Sequence, residues 1–328
     1  MKIGLTLGKF APLHRGHQLV IETALAEMDH VIVMIYDVPD VTPVPLPVRA
    51  AWIRKLYPQV TVVEAWDGPL EVSHDPRITA LHDEYICRRM SGRGVTHFYS
   101  SEFYGEHVSL ALGAIDRRVD ENRTQVPISA TAVRERPHAN RSYLDPVVLR
   151  DLSTHIVFLG APCTGKTTIA QFAAAAFHTT WVPEFGREYW EQHQVDRRLT
   201  LEQLVEIGTI HRRREDESIT VSSDILFVDT NALTTRMFSL YYHEQCHPEL
   251  ERMADECRSR YDITFVCDTD IPYDDTWDRS GQVFREVFQR RIIADLKTRK
   301  VPFAMLRGSI EQRLQQVQES LRAFRKYT

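Results

Sequence analysis

The sequence predicts an α/β protein of two domains with mainly parallel sheets: a Rossmann-like domain over residues 1–152 and a phosphate-loop domain over 153–328. Three observations lead there. Residues 2–7 and 32–36 are apolar runs, and between them Leu19, Val20, Ile21, Ala24, Leu25 and Met28 recur at helical spacing, which is a strand–helix–strand unit. Gly160-Ala161-Pro162-Cys163-Thr164-Gly165-Lys166-Thr167 fits G-x-x-x-x-G-K-[ST] between an apolar run, 156–159, and a helix-prone run from Thr168. Beyond it lie three more short apolar runs, 225–228, 263–267 and 303–306. Functional candidates sit where strands end, the side on which open α/β sheets bind ligands.

The bulk properties exclude several classes. A chain of 328 residues with 43% hydrophobic and 26% charged residues can bury a core in each half. Forty Lys and Arg against 45 Asp and Glu give a net charge of −5, so no global field for nucleic acid or membrane is expected. No apolar run approaches a membrane span, and Met1-Lys2-Ile3-Gly4 leads directly into a strand rather than a signal peptide. Five scattered cysteines suit a reduced cytoplasm.

The first strand leads into Gly8-Lys9-Phe10-Ala11-Pro12-Leu13-His14-Arg15-Gly16-His17. His14 and His17 therefore stand where a strand turns into a helix, and a helix N-terminus attracts phosphate through its free N–H groups. A histidine there can also do no more than cap the helix. The full string G-K-F-x-P-x-H-x-G-H resembles the nucleotidyltransferase superfamily, which moves an adenylyl or cytidylyl group from a nucleoside triphosphate. That resemblance implies a second signature near the domain's end, and Ile128-Ser129-Ala130-Thr131-Ala132-Val133-Arg134-Glu135 meets it. Ser129 and Thr131 can donate to phosphate oxygens, and Arg134 brings a charge-assisted fork.

Between the signatures, residues 38–48 carry Pro39, Pro43, Pro45 and Pro47 and are expected to be a loop. Trp66, just past a strand run at 60–63, could stack on a base or belong to the core or rim. Arg123 could meet a substrate phosphate or lie in a solvated turn.

In the second half a helix over 143–154 is expected at the boundary. Gly160 and Gly165 let the loop curl round phosphate, with Cys163, Thr164 and Thr168 in the same cradle; Lys166 brings charge and Thr167 a hydroxyl for Mg²⁺. A strand over 180–183 ends at Glu184, a candidate acceptor for a substrate hydroxyl, with Arg187 beside it. The run ending at Asp229 is a Walker-B pattern, whose carboxylate holds Mg²⁺. Asp274-Asp275-Thr276-Trp277-Asp278-Arg279 reads as a polar lid with Arg279 poised toward ATP. For each of these the bland reading is a helix cap or a surface ion pair. The charge run from His211 to Glu217 reads as a solvated helix face, and His243, His247 and Cys257 match no zinc spacing.

Taken together, the two signatures followed by a phosphate loop, with Tyr99-Ser100-Ser101-Glu102, Glu184-Phe185-Gly186-Arg187-Glu188-Tyr189 and Asp229-Thr230-Asn231-Ala232-Leu233-Thr234-Thr235, resemble the bacterial bifunctional NadR family. The resemblance covers essentially the whole chain. It implies a nucleotidyltransferase domain followed by a P-loop kinase domain, with ATP and Mg²⁺ used in NAD biosynthesis. The kinase would convert nicotinamide riboside to the mononucleotide, and the adenylyltransferase would convert that to NAD. Lys9, His14, His17 and Arg134 would then stabilise charge, with Gly8, Phe10 and Gly16 around the phosphates. Asn231 stands where a second acid is expected, and Tyr273 where the family has a tryptophan against nicotinamide. The first catalytic motif begins at residue 8, so the helix-turn-helix module of some members, and with it DNA binding, is not implied. A different nucleoside or pantetheine-like acceptor, or a NAD- and ATP-sensing regulator with little turnover, are the rival readings; a sensor has no need of Lys166, His14 and His17. A homo-oligomer is compatible with all of them.

Overall fold

The computed structural model describes residues 1–69, 71, 75–102, 104–196, 198–272 and 282–327. Tyr273 and Arg279, and with them the lid expected from Asp274, lie outside the described residues. Two compact units result, Met1–Asp151 with Tyr327, and Leu152–Lys326.

The first unit runs β1 (Ile3–Gly8), α1 (Arg15–Glu27), β2 (His30–Tyr36), α2 (Leu46–Leu56), β3 (Thr61–Ala65), α3 (Pro76–Met90), β4 (His97–Ser100), α4 (Gly105–Leu112), β5 (Ile115–Arg118), α5 (Ala130–Glu135) and α6 (Pro146–Leu152). Its strands lie in the order β3-β2-β1-β4-β5, all parallel. Strands β1 and β2 are covered on both faces, so their sequences are apolar runs rather than alternations. Leu5, Ile32, Met34 and Phe98 form the centre of one core layer. From β1 the chain moves outward to β2 and β3, then crosses back to β4 on the other side of β1, so a crevice opens above the C-terminal ends of β1 and β4.

Two boundaries differ from the sequence pattern, both at prolines. The loop expected over 38–48 ends early, because α2 begins at Leu46 with Pro47 in its first turn, where a proline forfeits no helical hydrogen bond. The helix expected over 143–154 starts only at Pro146, after a 3₁₀ turn at Arg141–Tyr143, and stops at Leu152.

The second unit runs β6 (Thr154–Leu159), α7 (Lys166–Ala176), β7 (Trp181–Val182), α8 (Phe185–His193), α9 (Leu201–Ile219), β8 (Ile225–Asp229), α10 (Ala232–His243), α11 (Pro248–Arg260), β9 (Ile263–Cys267), α12 (Gln282–Thr298), β10 (Ala304–Leu306) and α13 (Ile310–Ala323). The order is β10-β9-β6-β8-β7, again parallel throughout. Phe158 stacks between Phe227 and Phe265, with ring centroids 5.9 and 5.8 Å away, across the three central strands. Ile169, Ala170 and Ala173 of α7 and Val317 of α13 pack on that layer. Here the crevice lies above β6, between β8 and β9. Among the described residues no helix is long and apolar enough to cross a membrane.

Candidate functional site

In the first unit both signatures line one cavity of about 400 Å³. Gly8, Lys9, Phe10, His14, Gly16 and His17 come to it from the β1–α1 turn. Ser129, Thr131 and Arg134 come from the start of α5, and Arg123 from the preceding turn. Trp66 is not brought there: it is exposed, with its indole N–H donating to Glu64 at 3.0 Å. Past β3 the chain leaves the sheet, and a tryptophan there meets solvent rather than ligand.

The two histidines cap α1 reciprocally. His14 Nδ1 accepts the Gly16 N–H at 3.1 Å, and His17 Nδ1 accepts the His14 N–H at 3.4 Å. A ring nitrogen that accepts carries no proton, so each neutral ring keeps its proton on Nε2. Burial first, and Arg123's charge second, push the His14 pKa down to about 4; burial, His14 and Arg123 hold His17 well below the usual histidine range. Any help these two rings give to phosphate near pH 7 is therefore that of neutral donors. Positive charge at the cavity comes instead from Lys9, Arg123 and Arg134. Arg134 Nη1 donates to Ala11 O at 2.8 Å and Nη2 to Thr131 Oγ1 at 3.1 Å, which locks the second signature to the β1–α1 turn. Asp120 accepts from the backbone N–H groups of Thr124, Gln125 and Val126, and so builds the turn that carries Arg123.

Sequence reasoning missed Arg49, a fully buried guanidinium on α2. It donates to Tyr36 O at 3.0 Å, Val44 O at 3.0 Å and Lys9 O, and faces Asp37 at 3.6 Å. It thus ties the ends of β1 and β2 beneath the cavity. In the sequence it is one arginine on an amphipathic helix, with no motif to mark it.

In the second unit the phosphate loop, Glu184, Arg187 and Thr168 line a cavity of about 370 Å³. Gly160 has φ 143°, where an added Cβ would stand 2.7 Å from Cys267 O, and Gly165 has φ 78°, so both positions require glycine. Cys163 also takes a positive φ, 58°. Lys166 is buried and its Nζ donates to Ala161 O at 3.0 Å, while Thr164 Oγ1 donates to the same oxygen at 2.8 Å.

Asp229 ends β8 fully buried, and Thr167 Oγ1 donates to its Oδ2 at 2.5 Å. Its Oδ1 is buried with no hydrogen-bond partner. Burial, then the charge of Glu184, raises the Asp229 pKa to about 6 against the opposing pull of Lys166. An orphaned carboxylate oxygen beside a hydroxyl is a donor set that suits a hard divalent cation. The residues present fit Mg²⁺.

The charge run is corrected as well. His211 and Glu215 are buried, and His211 lines the cavity. Its Nε2 lies 3.3 Å from Thr230 O and 3.5 Å from Glu215, whose carboxylate accepts from Tyr261 Oη and Arg260 Nε. The alternating charges mask a helix with an inner as well as an outer polar face. Trp190, Phe238, Tyr242 and Phe288 also line the cavity, with Phe238 in ring contact with Tyr242 and Phe288.

Residues 5–136 match the cytidylyltransferase-like family model, and residues 155–313 match an AAA domain model. Fold and site define a two-domain enzyme, a nucleotidyltransferase unit followed by a P-loop kinase-like unit. The chain is 26% identical over 325 residues to the trifunctional NAD biosynthesis/regulator protein NadR of Escherichia coli K12, and 27% identical over 328 residues to that of Salmonella typhimurium LT2. Each alignment covers 92% of this chain and 78% of the relative. Two solved NadR structures, one in complex with NR and one with NAD and AMP-PNP, share the fold at a TM-score of 0.55. They are 22% and 21% identical to this chain, covering 97% and 98% of it and 95% of each of their own chains. The chain is similar to the NadR proteins over a stretch that includes both of its units.

Proposed function

We propose that the second unit phosphorylates the 5′-hydroxyl of nicotinamide riboside, and that the first adenylylates the resulting mononucleotide to NAD. The observation that carries the reading is the convergence of both nucleotidyltransferase signatures on one cavity, in a chain that also holds a complete phosphate loop.

Adenylyl transfer needs no protein nucleophile. A phosphate oxygen of the mononucleotide attacks the α-phosphorus of ATP, the bond to the bridging oxygen breaks, and pyrophosphate leaves. His14 and His17 donate Nε2–H bonds to phosphate oxygens, and Lys9 and Arg134 neutralise the charge that develops. Catalysis is positioning and preorganised electrostatics.

In the second unit, backbone N–H groups of the phosphate loop and Lys166 hold the ATP phosphates. Glu184 accepts the proton of the acceptor hydroxyl as its oxygen attacks the γ-phosphorus, the bond from that phosphorus to the bridging oxygen breaks, and ADP leaves. Thr167 and Asp229 would hold Mg²⁺, which would supply positive charge to offset that of the ATP phosphates. The aromatic side chains among the cavity's lining residues suit a flat, positively charged pyridinium ring.

Mass analysis of products tests this. The full chain with ATP, Mg²⁺ and nicotinamide riboside should give the mononucleotide and then NAD, and with the mononucleotide alone should give NAD. A panel of other ribosides, mononucleotides and pantetheine-like acceptors turned over faster would replace the acceptor. Absence of product with every acceptor would leave the regulator reading.

A further inference from the structure

The back of the phosphate loop is held by side chains from the two helices that end the second unit. Arg285 of α12, 2% exposed, donates from Nη2 to Cys163 O at 3.0 Å and to Ile271 O at 3.0 Å. Arg313 of α13, also 2% exposed, donates from Nη1 to Thr164 O at 2.6 Å and from Nη2 to Asp268 O at 3.3 Å, and pairs with Asp270. The buried Gln289 accepts the Ala161 N–H at 2.8 Å and donates to Cys267 O at 2.9 Å. Three residues of the loop, Ala161, Cys163 and Thr164, are thus fixed from outside it.

The consequence follows from peptide geometry. A trans peptide holds its C=O and the following N–H on opposite sides. Anchoring the Cys163 and Thr164 carbonyls outward turns the N–H groups of Thr164 and Gly165 toward the hollow where phosphate would sit. A guanidinium on each carbonyl also polarises that peptide and makes its N–H a better donor. The buried guanidinium charges behind the loop, that of Arg313 partly offset by Asp270, add to the potential felt by an anion in front of it.

We propose that Arg285 and Arg313 are positioning residues for the triphosphate, acting through the loop backbone rather than on the nucleotide. The inference rests on the kinase reading of this unit.

The test is the steady-state kinetics of Arg285→Ala and Arg313→Ala in the full chain, with ATP and nicotinamide riboside varied separately. The KM for ATP in phosphorylation should rise by about tenfold to a hundredfold, the size of a lost charge-assisted hydrogen bond. The KM for the riboside should move less than about threefold, and adenylyl transfer by the first unit should be unchanged. Methylguanidine added to Arg285→Ala should restore part of the ATP affinity, which a general loss of packing would not allow.

An ATP KM within about threefold of wild type in a folded variant overturns the proposal, and so does an equal rise in both KM values. Arg313 also anchors Asp270 and Gly308. Should Arg313→Ala fail to fold, Arg285→Ala decides alone by the same criteria. If the wild type phosphorylates nothing, the kinase reading fails instead, and calorimetric ATP binding by the same variants, scored against the same fold-changes, decides the anchoring role.

Discussion

His14 and His17 face each other with ring centroids 3.9 Å apart, each giving its Nδ1 to a backbone N–H of the turn they share. The arrangement joins two roles that the sequence reading treats as alternatives. One nitrogen of each ring caps the helix, and the other remains a donor in a cavity-lining ring. Because His14 is only 5% exposed and a charged pair would repel at this distance, the rings stay neutral.

Acid should therefore weaken the first unit early. The unfolded chain protonates His14 near pH 6.5, whereas the folded chain resists until about 4. A depressed folded pKa gives stability that is complete above 6.5 and is lost progressively as pH falls from there to about 4. For His14 alone the loss by pH 5 is about 2 kcal/mol. Urea unfolding of the first unit's transition at pH 7 and pH 5 measures it. His14→Gln should lower stability at pH 7 and shrink the difference between the two pH values; an equal difference in both proteins would place the acid sensitivity elsewhere.

His17→Ala should lower adenylyl transfer by a factor on the order of 10²–10³, as when one donor leaves a preorganised charge-stabilising site. Riboside phosphorylation in the same preparation serves as the control and should hold. A fall of less than about threefold would reduce His17 to its capping role.

Lys166→Ala should have the opposite selectivity. Riboside phosphorylation should disappear, and mononucleotide adenylylation should persist, because Lys166 lines the second unit's cavity and is not among the residues lining the first unit's. Both rates are read from one sample by product mass. Parallel loss of both would mean that a single nucleotide site serves the two reactions.

How much was legible beforehand varied with the kind of signal. Strands covered on both faces, such as 156–159, are unbroken apolar runs and stand out. So do the turns after β1 and β6, where glycines, lysines and histidines sit at fixed spacing. Strand β5 gives no such sign, because Ile115-Asp116-Arg117-Arg118 is largely exposed at a sheet edge and mostly charged. Pro47 suggested a longer loop because a first-turn proline and a loop proline look alike in sequence. His211 and Glu215 were hidden among charges, and only tertiary packing turns that side of α9 inward. Trp66 shows the converse: it is exposed and not among the cavity's lining residues, because a strand end places a residue near a site without aiming it there.

Arg49 is the least legible of the functional positions and supports the last prediction. Its guanidinium satisfies the carbonyls of Lys9, Tyr36 and Val44, so its loss would leave three acceptors without that donor in a buried place. Arg49→Met keeps the stem's packing and removes the donors, and should destabilise the first unit by about 3–5 kcal/mol, the usual result of removing one partner from a buried charged network. Where the variant still folds, the carbonyl of Lys9 is no longer anchored, and the turn that carries His14 and His17 loses its fixed position. Adenylyl transfer should then fall more than thermal stability alone explains, at temperatures well below the transition. Arg49→Lys should recover part of the stability but less of the rate, since one ammonium cannot reproduce the planar fork that spans β1 and β2. Rates and melting temperatures for both variants separate the two effects. If the rate of each variant simply tracks its folded fraction, Arg49 is a structural strut and plays no part in shaping the phosphate-binding turn.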